Sequence, residues 1–226
     1  MRELNTIEAI FRTGIASSVR LGVRSLPSDF RDRFISTVLA PALRGCSVAP
    51  QPLDSDRQLK LLRSCALDFA LVWRSEEPSS LLQLPVLEEE MGVAVPATGR
   101  FLALDAVSPR DLVGLRLAAT VDPLRFPADI AAYLEMLPLV DRVNPAVEDG
   151  LALLLSGGEH CAFLPLAGSG HTFLRDARPT QYVMKPLTRP ARLITYFTWR
   201  ADQEPTPHLR PAIAAVQRAF PEPEVR

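Results

Sequence analysis

The first regular pattern in the chain is a short alternation of apolar residues, followed by apolar residues at helical spacing. Val19, Leu21 and Val23 alternate with polar or small residues, which is typical of a β-strand. Pro27 and Ser28 end that strand, and Ser28 is the expected N-cap of the next helix. The apolar face of this predicted helix consists of Phe30, Phe34, Val38 and Leu39. A helix that begins just beyond the carboxyl end of a strand can hold an anion at its N-terminus.

Strands and helices then alternate along the first half of the chain. Residues 47–53 are predicted as a strand, and Ser55 and Gln58 have the spacing of a capping box at the start of a helix. Residues 67–73 are predicted as a buried strand and residues 84–96 as one or two more. Strands separated by helical crossovers favour an α/β fold with a largely parallel sheet.

The same alternation restarts after residues 96–100, which are a plausible crossing point between two lobes. The later predicted strands are 115–120, 139–143, 160–166 and 191–199. The later predicted helices cover 127–137 and 145–156, and a last helix is expected to begin at Thr206, as N-cap, and Pro207. The pattern therefore predicts two α/β lobes, with the last segment free to return to the first.

Composition is that of an ordinary globular protein. The 226 residues are 47% hydrophobic and 23% charged, with a formal net charge of −1, which gives no general attraction to nucleic acid or membrane. No apolar run is long enough to cross a bilayer, and the first 20 residues lack the apolar stretch of a secretory signal. Three cysteines without a CxxC pair, Cys46, Cys65 and Cys161, indicate reduced, packed thiols, and we expect a cytoplasmic protein.

Residues that could carry chemistry do not form a recognisable catalytic or metal-binding motif. His160, His171 and His208 have no zinc-ligand spacing with the cysteines, so we expect no metal and no cofactor. The glycines at 157–158 and in 167–171 match turns rather than phosphate-binding loops. The three glutamates at 88–90 are interpreted as an exposed patch between strands. No nucleophile motif is present, and we predict that the protein is not an enzyme.

Five blocks in order resemble the effector-binding domain of LysR-type transcriptional regulators. They are "VRLGV" (19–23), "DSDRQLKLLRSCALDFALVW" (54–73), "SPRDLVGLRLAAT" (108–120), "VEDGLALLLSGGEHCAFLP" (147–165) and "ITYFTWRADQEPTPHLRPAIAAVQRAF" (194–220). Each block is weak alone, but their order and spacing make a strong combined signal. The resemblance implies two Rossmann-like lobes with a ligand cleft between them, the type 2 periplasmic-binding-protein-like fold.

The resemblance also implies how the chain is divided. Residues 1–18 correspond to a stub of the family's linker helix, residues 19–97 plus 198–226 to lobe I, and residues 98–197 to lobe II. The family's winged helix-turn-helix would precede the stub, and the sequence given does not contain it. We therefore expect DNA contact only through that absent domain. A homodimer or higher homo-oligomer is expected, because the helix carrying Phe30, Phe34 and Val38 and the stub carrying Leu4, Ile7 and Phe11 have wide apolar faces.

A small effector, expected to be a carboxylate, would bind between the lobes at the carboxyl ends of the strands. The residues at these positions are Arg24, Ser25, Leu26, Ser28, Trp73, Arg74, Thr120, Asn144 and Leu164. Arg24 and Arg74 would supply positive charge, while Ser25, Ser28 and the helix N–H groups would donate hydrogen bonds. The alternative for each residue is structural: Ser28 would only cap the helix, and both arginines would point into solvent.

The leading hypothesis is a ligand-sensing regulatory domain that controls transcription. A free-standing solute-binding protein of the same fold is one alternative, and an enzyme on a similar bilobal fold is another. The solute-binding protein would need a signal or lipid anchor. The enzyme would need acid, base or nucleophilic residues that come together in one site.

Overall fold

The computed structural model describes residues 18–24, 26–43, 45–73, 80–119, 126–142, 154–166, 181–203 and 209–225. Ten strands in this part form one sheet. They are β1 (Ser18–Val23), β2 (Ser47–Pro52), β3 (Phe69–Val72), β4 (Leu81–Pro96), β5 (Arg116–Ala119), β6 (Val140–Arg142), β7 (His160–Pro165), β8 (Tyr182–Pro186), β9 (Arg192–Arg200) and β10 (Glu224–Val225).

The sheet is parallel at both ends and antiparallel in the middle. Its main path runs β2-β1-β3-β9-β4-β7-β5-β6, and β8 and β10 also pair with β4. β1 is parallel to β2 and β3, and β5 is parallel to β6 and β7. β9 is antiparallel to both β3 and β4, and β4 is antiparallel to β7. The expectation of a largely parallel sheet is therefore correct for each half and wrong for the centre.

Helices cover parts of both halves. The α-helices are α1 (Ser28–Arg33), α2 (Ala40–Ala42), α3 (Ser55–Arg63), α4 (Gly99–Leu102), α5 (Ala131–Leu134) and α6 (Arg210–Ala219). Short 3₁₀ turns occur at Pro109–Leu112, Ala128–Ile130 and Ala201–Gln203. The last helix thus begins at Arg210 with Leu209 as N-cap, later than expected, and Thr206 and Pro207 lie outside the described residues. None of the helices in the described ranges is long and apolar enough to span a membrane.

The start of α1 differs from the sequence prediction. Pro27 is the N-cap, and Ser28 is the first residue of the helix, where its exposed side chain makes no capping hydrogen bond. A π-helical segment, Phe34–Leu39, joins α1 to α2. The Thr37 hydroxyl donates to the Arg33 carbonyl over 2.7 Å, and Pro41 has no N–H to donate within the last turn. Both features disturb a regular α-helical ladder and account for the wider turn.

Helix α3 is capped at both ends, and its N-cap is not the residue expected. The Asp54 carboxylate, rather than Ser55, accepts the Arg57 N–H at 2.9 Å, so the capping box predicted at Ser55 is wrong. At the other end, the Ala66 N–H donates to the Leu61 carbonyl, and the Cys65 N–H donates to the Leu62 carbonyl. These two bonds define a Schellman motif, in which Cys65 has the left-handed φ of 61°.

Cys65→Gly is expected to raise the free energy of unfolding by about 0.5–1 kcal/mol. A side chain costs energy in the left-handed region, whereas glycine adopts it freely, and this gain exceeds glycine's larger unfolded-state entropy. Cys65 is exposed, so the change removes no core contact. Urea unfolding compares the variant with Ser64→Gly, which alters a neighbouring residue with a negative φ of −87°. Equal destabilisation by both glycines would contradict the prediction.

Two main hydrophobic clusters lie along the sheet. The first core gathers aromatic and aliphatic side chains from β1, α1, β3, β9 and α6, including Leu21, Phe30, Leu71, Phe197 and Val216, and also Phe34 from the π-helical segment. The second core gathers side chains from β4, β5, α5, β7 and β9, including Val93, Leu117, Tyr133, Phe163 and Leu193. β4 and β9 contribute to both cores, so these two paired strands pass from one core to the other.

Candidate functional site

A row of polar side chains crosses four adjacent strands at the boundary between the two cores. Arg24 follows β1, Trp73 follows β3, Thr195 lies in β9 and Glu89 lies in β4, and these strands are neighbours in the order β1-β3-β9-β4. We call these four residues the polar row. Strand pairing brings Trp73 to the level of Thr195, because Val72 pairs with Tyr196. Glu89 lies diagonal to Thr195, because Leu87 pairs with Thr195 and Glu89 pairs with Leu193.

Arg24 and Trp73 are in direct contact. The Arg24 guanidinium lies over the Trp73 ring, a cation–π arrangement. The Ser55 hydroxyl accepts the Trp73 backbone N–H at 3.2 Å, which ties this tryptophan to the start of α3. The Trp73 ring also packs against the second core, although β3 belongs to the first. Arg24 and Trp73 therefore bridge the two halves of the sheet.

Glu89 is the acidic member of the polar row. It has 0% exposure, and it shares its face of β4 with Leu87 in the first core and Met91 in the second. Burial lowers the pKa of Arg24 well below its usual value, and the nearby Glu89 carboxylate opposes that shift. The row therefore holds one positive group, which is half-buried, and one negative group, which is fully buried.

Thr195 and the Trp73 indole add neutral polar groups. Thr195 has 0% exposure, and its hydroxyl has no hydrogen-bond partner among the described residues. The same is true of the buried indole Nε1 of Trp73. Buried polar groups without partners are costly, so two of them at one level of the sheet mark a place where a ligand can supply the missing bonds.

The structure brings Arg24 and Trp73 together and places Leu26 and Leu164 in hydrophobic clusters. Leu26 is buried in the first core, and Leu164 packs in a small cluster with Ala94 and Leu155. Ser28 is exposed at the start of α1. Arg24 does not point freely into solvent as the structural alternative supposed. Ser25, Arg74, Thr120 and Asn144 lie outside the described residues.

Glu89 and Thr195 are absent from the set predicted from sequence. The interpretation of residues 88–90 as an exposed patch is correct for Glu90 and wrong for Glu89, because adjacent strand residues point to opposite faces. The sequence does contain a pattern that could have identified Glu89. Leu87, Met91, Val93 and Val95 are each an even number of residues away from it, so a single strand extended back from residue 96 places Glu89 on their apolar face. Nothing comparable distinguishes Thr195 from the other residues of its strand.

His160 and Cys161 are placed as structural groups, whereas His171 and His208 lie outside the described residues. His160 Nε2 lies 2.7 Å from Asp141 Oδ2, and Arg116 forms a two-point ion pair with the same carboxylate. Burial raises the pKa of the Cys161 thiol to about 12. Cys65 is exposed, so the expectation of packed thiols is wrong for that residue. Within the described ranges, no three His, Cys, Asp or Glu side chains cluster as a metal would require.

Comparison with solved structures shows the fold. Full-length OxyR from Pseudomonas aeruginosa has a TM-score of 0.62 at 14% identity, covering 96% of this chain and 80% of that chain. The regulatory domain of MetR, a LysR family regulator from N. meningitidis, has a TM-score of 0.60 at 15% identity, covering 91% of this chain and 96% of that one. The effector-binding domain of a BenM variant has a TM-score of 0.64 at 14% identity, covering 91% and 95%.

The sequence comparisons decide the family. A comparison with curated proteins finds no match. Residues 42–221 match the family described as LysR substrate binding domain, which is most of the chain. The expected two-lobed, type 2 periplasmic-binding-protein-like fold is thereby confirmed, as is a ligand-sensing regulatory domain. The chain belongs to the LysR substrate binding domain family.

Proposed function

We propose that this domain senses a small molecule bearing a carboxylate, which binds at the polar row. The observation that carries the proposal is the half-buried Arg24 guanidinium, held on Trp73 at the boundary between the two cores. An arginine in such surroundings offers a carboxylate a charged hydrogen bond that water competes for weakly. Because the row lies where β4 and β9 pass between the cores, a ligand there touches both halves.

The proposed lobes are residues 19–97 plus 198–226 and residues 98–197. These boundaries assign the two main cores to different lobes, apart from the segments of β4 and β9 that serve both. A ligand at the junction changes the relative positions of the lobes only to the extent that it binds one arrangement more tightly than another. Ser25, Ser28, Arg74, Thr120 and Asn144 stay predicted ligand contacts in this scheme.

The proposal is tested by calorimetric titration with benzoate, succinate, pyruvate, 2-oxoglutarate and the standard L-amino acids, all of which bear a carboxylate. For any compound that binds the parent, Arg24→Gln is expected to weaken affinity by about tenfold or more, since a charged hydrogen bond contributes roughly 1.5–3 kcal/mol. Arg110→Gln is the matched control, because Arg110 is exposed on a 3₁₀ turn. Equal losses in both variants would contradict a role for Arg24.

The Ser28→Ala variant is titrated with the same compounds, and its melting temperature is also measured. Because Ser28 makes no capping bond, we expect no loss of melting temperature. Weaker binding by this variant would then report a ligand contact directly. Unchanged binding would remove Ser28 from the proposed site without affecting Arg24.

Sensing without turnover is part of the proposal. The domain is proposed to be cytoplasmic and not an enzyme, in keeping with its family and with the regulators whose fold it shares. Each bound compound should be recovered chemically unchanged after prolonged incubation. Consumption of a bound compound would favour the alternative of an enzyme on this fold.

Self-association is also proposed. Of the surface first expected, Leu4, Ile7 and Phe11 lie outside the described residues, and Val38 is only partly buried. Phe30 and Phe34 have 0% exposure and lie inside the first core, so they are unavailable to a partner. Near them, an open groove of about 940 Å³ runs between Thr37, Val38 and Pro41 on one side and α6 on the other. A homodimer or higher oligomer using this apolar surface stays a prediction that sedimentation equilibrium can test.

A further inference from the structure

Thr195 lies where the two cores meet on one face of the sheet. Its neighbours on the same face of β9 are Phe197, in the first core, and Leu193, in the second. Leu87, another member of the first core, is directly opposite it on β4. The side chain of Thr195 has 0% exposure, so a polar hydroxyl is enclosed next to apolar side chains of both cores.

The Thr195 hydroxyl has no hydrogen-bond partner in the part of the chain that the structure describes. Valine has nearly the same shape as threonine and would fill this position without a polar group. A buried hydroxyl that makes no bond destabilises a protein relative to such an apolar replacement. Threonine therefore lowers the stability of the ligand-free domain, and a hydrogen bond to a ligand recovers that loss.

Trp73 offers a second buried group on the neighbouring strand. Its indole Nε1 is also unpartnered among the described residues. Val72 pairs with Tyr196, so one step further along both strands Trp73 is opposite Thr195. The indole N–H only donates, whereas the hydroxyl both donates and accepts. A ligand that satisfies both groups thus carries an acceptor for the indole and, a short distance away, a second polar group for the hydroxyl.

We propose that Thr195 determines ligand specificity: its hydroxyl bonds to a hydroxyl or carbonyl oxygen of the ligand, while the ligand carboxylate lies at Arg24 and accepts the Trp73 indole N–H. The ligand class is then the hydroxy and oxo carboxylic acids. This inference rests on the proposed function and specifies the ligand for the same site. A neutral oxygen group suits a buried neutral hydroxyl because no additional charge has to leave water.

The experiment varies the ligand first. The parent chain is titrated calorimetrically with pairs of acids that differ only in the second oxygen group. The pairs are lactate and propionate, pyruvate and propionate, malate and succinate, 2-oxoglutarate and glutarate, and salicylate and benzoate. In at least one pair, we expect the oxygen-bearing acid to bind at least about fivefold more tightly than its partner. This comparison needs no variant and therefore does not depend on how a substitution affects folding.

The protein is then varied, with the pair that shows the preference. Thr195→Val should reduce the preference to less than about twofold, because both acids then meet a methyl group. Thr195→Ser keeps the hydroxyl and should keep the preference. Thr198→Val is the matched control, since Thr198 is on the same strand, also has 0% exposure and already accepts a hydrogen bond from Gln83 Nε2 at 3.1 Å. It should leave the preference unchanged.

The stability of the ligand-free variants gives a readout that a purely structural hydroxyl would not. Thr195→Val should raise the urea midpoint, because it removes a buried hydroxyl without a partner. Thr198→Val should lower the midpoint, because it removes the acceptor of the Gln83 bond. Both variants make the same replacement in β9, so the difference in strand propensity is shared. A lower midpoint for Thr195→Val would show that the hydroxyl is already bonded in the ligand-free protein and would overturn the inference.

The outcomes separate this inference from the proposed function. Equal binding within every pair, with dependence on Arg24, would overturn the role of Thr195 and uphold the carboxylate site. A preference that survives in Thr195→Val would do the same. Tighter binding of the corresponding amino acids (alanine for lactate, glutamate for 2-oxoglutarate) would identify the second group as an ammonium and overturn the proposed ligand class. Failure of every acid to bind would count against both.

Discussion

Phe34→Ala is expected to destabilise the protein by about 3–5 kcal/mol, the cost of truncating a fully buried aromatic side chain. Phe34 has 0% exposure and lies between three rings, with centroid distances of 5.8 Å to Phe30, 5.8 Å to Phe197 and 5.7 Å to Phe220. These rings come from α1, β9 and the end of α6, so the cavity would weaken contacts among distant parts of the chain.

The loss is measured by urea unfolding followed by circular dichroism. Phe34→Leu should cost clearly less than Phe34→Ala, because it leaves a smaller cavity. Leu102→Ala is the surface control, since Leu102 is 55% exposed, and its effect should stay within about 0.5 kcal/mol. A Phe34→Ala loss no larger than that of the surface control would show that the aromatic cluster is not packed as described.

Gln58→Leu is expected to cost about 2–4 kcal/mol, although leucine is the more hydrophobic residue. Gln58 has 0% exposure; its side-chain Nε2 donates to the Leu53 carbonyl at 2.8 Å, and its Oε1 accepts the Leu71 N–H at 3.1 Å. One side chain thus joins α3 to the end of β2 and to β3. Leucine would leave a buried donor and a buried acceptor unpaired, each costing roughly 1–3 kcal/mol, partly offset by its own burial.

The matched control is Gln217→Leu, the same substitution at an exposed position of α6. It should change the free energy of unfolding by no more than about 0.5 kcal/mol. Gly22 supports the interpretation, because a Cβ there would lie 2.7 Å from the Gln58 amide oxygen. Equal effects of the two leucine substitutions would show that the buried hydrogen bonds contribute little.

The sequence predicted the elements well where one local pattern was enough. The alternation of Val19, Leu21 and Val23 located β1, and the family blocks predicted the two-lobed fold. Errors concentrate at element ends: Ser28 and Ser55 both have good capping chemistry, but Pro27 and Asp54 hold the N-cap positions. Competing capping residues one position apart are decided by backbone geometry that sequence spacing does not specify.

The candidate site was predictable only in part. Arg24 and Trp73 each follow a strand, so the rule for carboxyl ends of strands selects them from sequence. Their mutual contact depends on β1 and β3 being neighbours in the sheet, which the tertiary structure decides. Sequence alone does not single out Glu89, because it leaves the length of β4 open, and only a continuous strand through residue 96 determines which of the three glutamates faces inward.

The sequence by itself determined the family, the α/β alternation, the absence of a large net charge and the presence of Arg24 and Trp73 at the ends of two strands. Only the tertiary structure decided that β9 lies antiparallel between β3 and β4. This arrangement places Thr195 and Glu89 in the same row as Arg24 and Trp73. The physical reason is that hydrophobic periodicity reports which face of a strand is buried. It carries no information about which strand lies alongside, and a site built across four strands depends on that order.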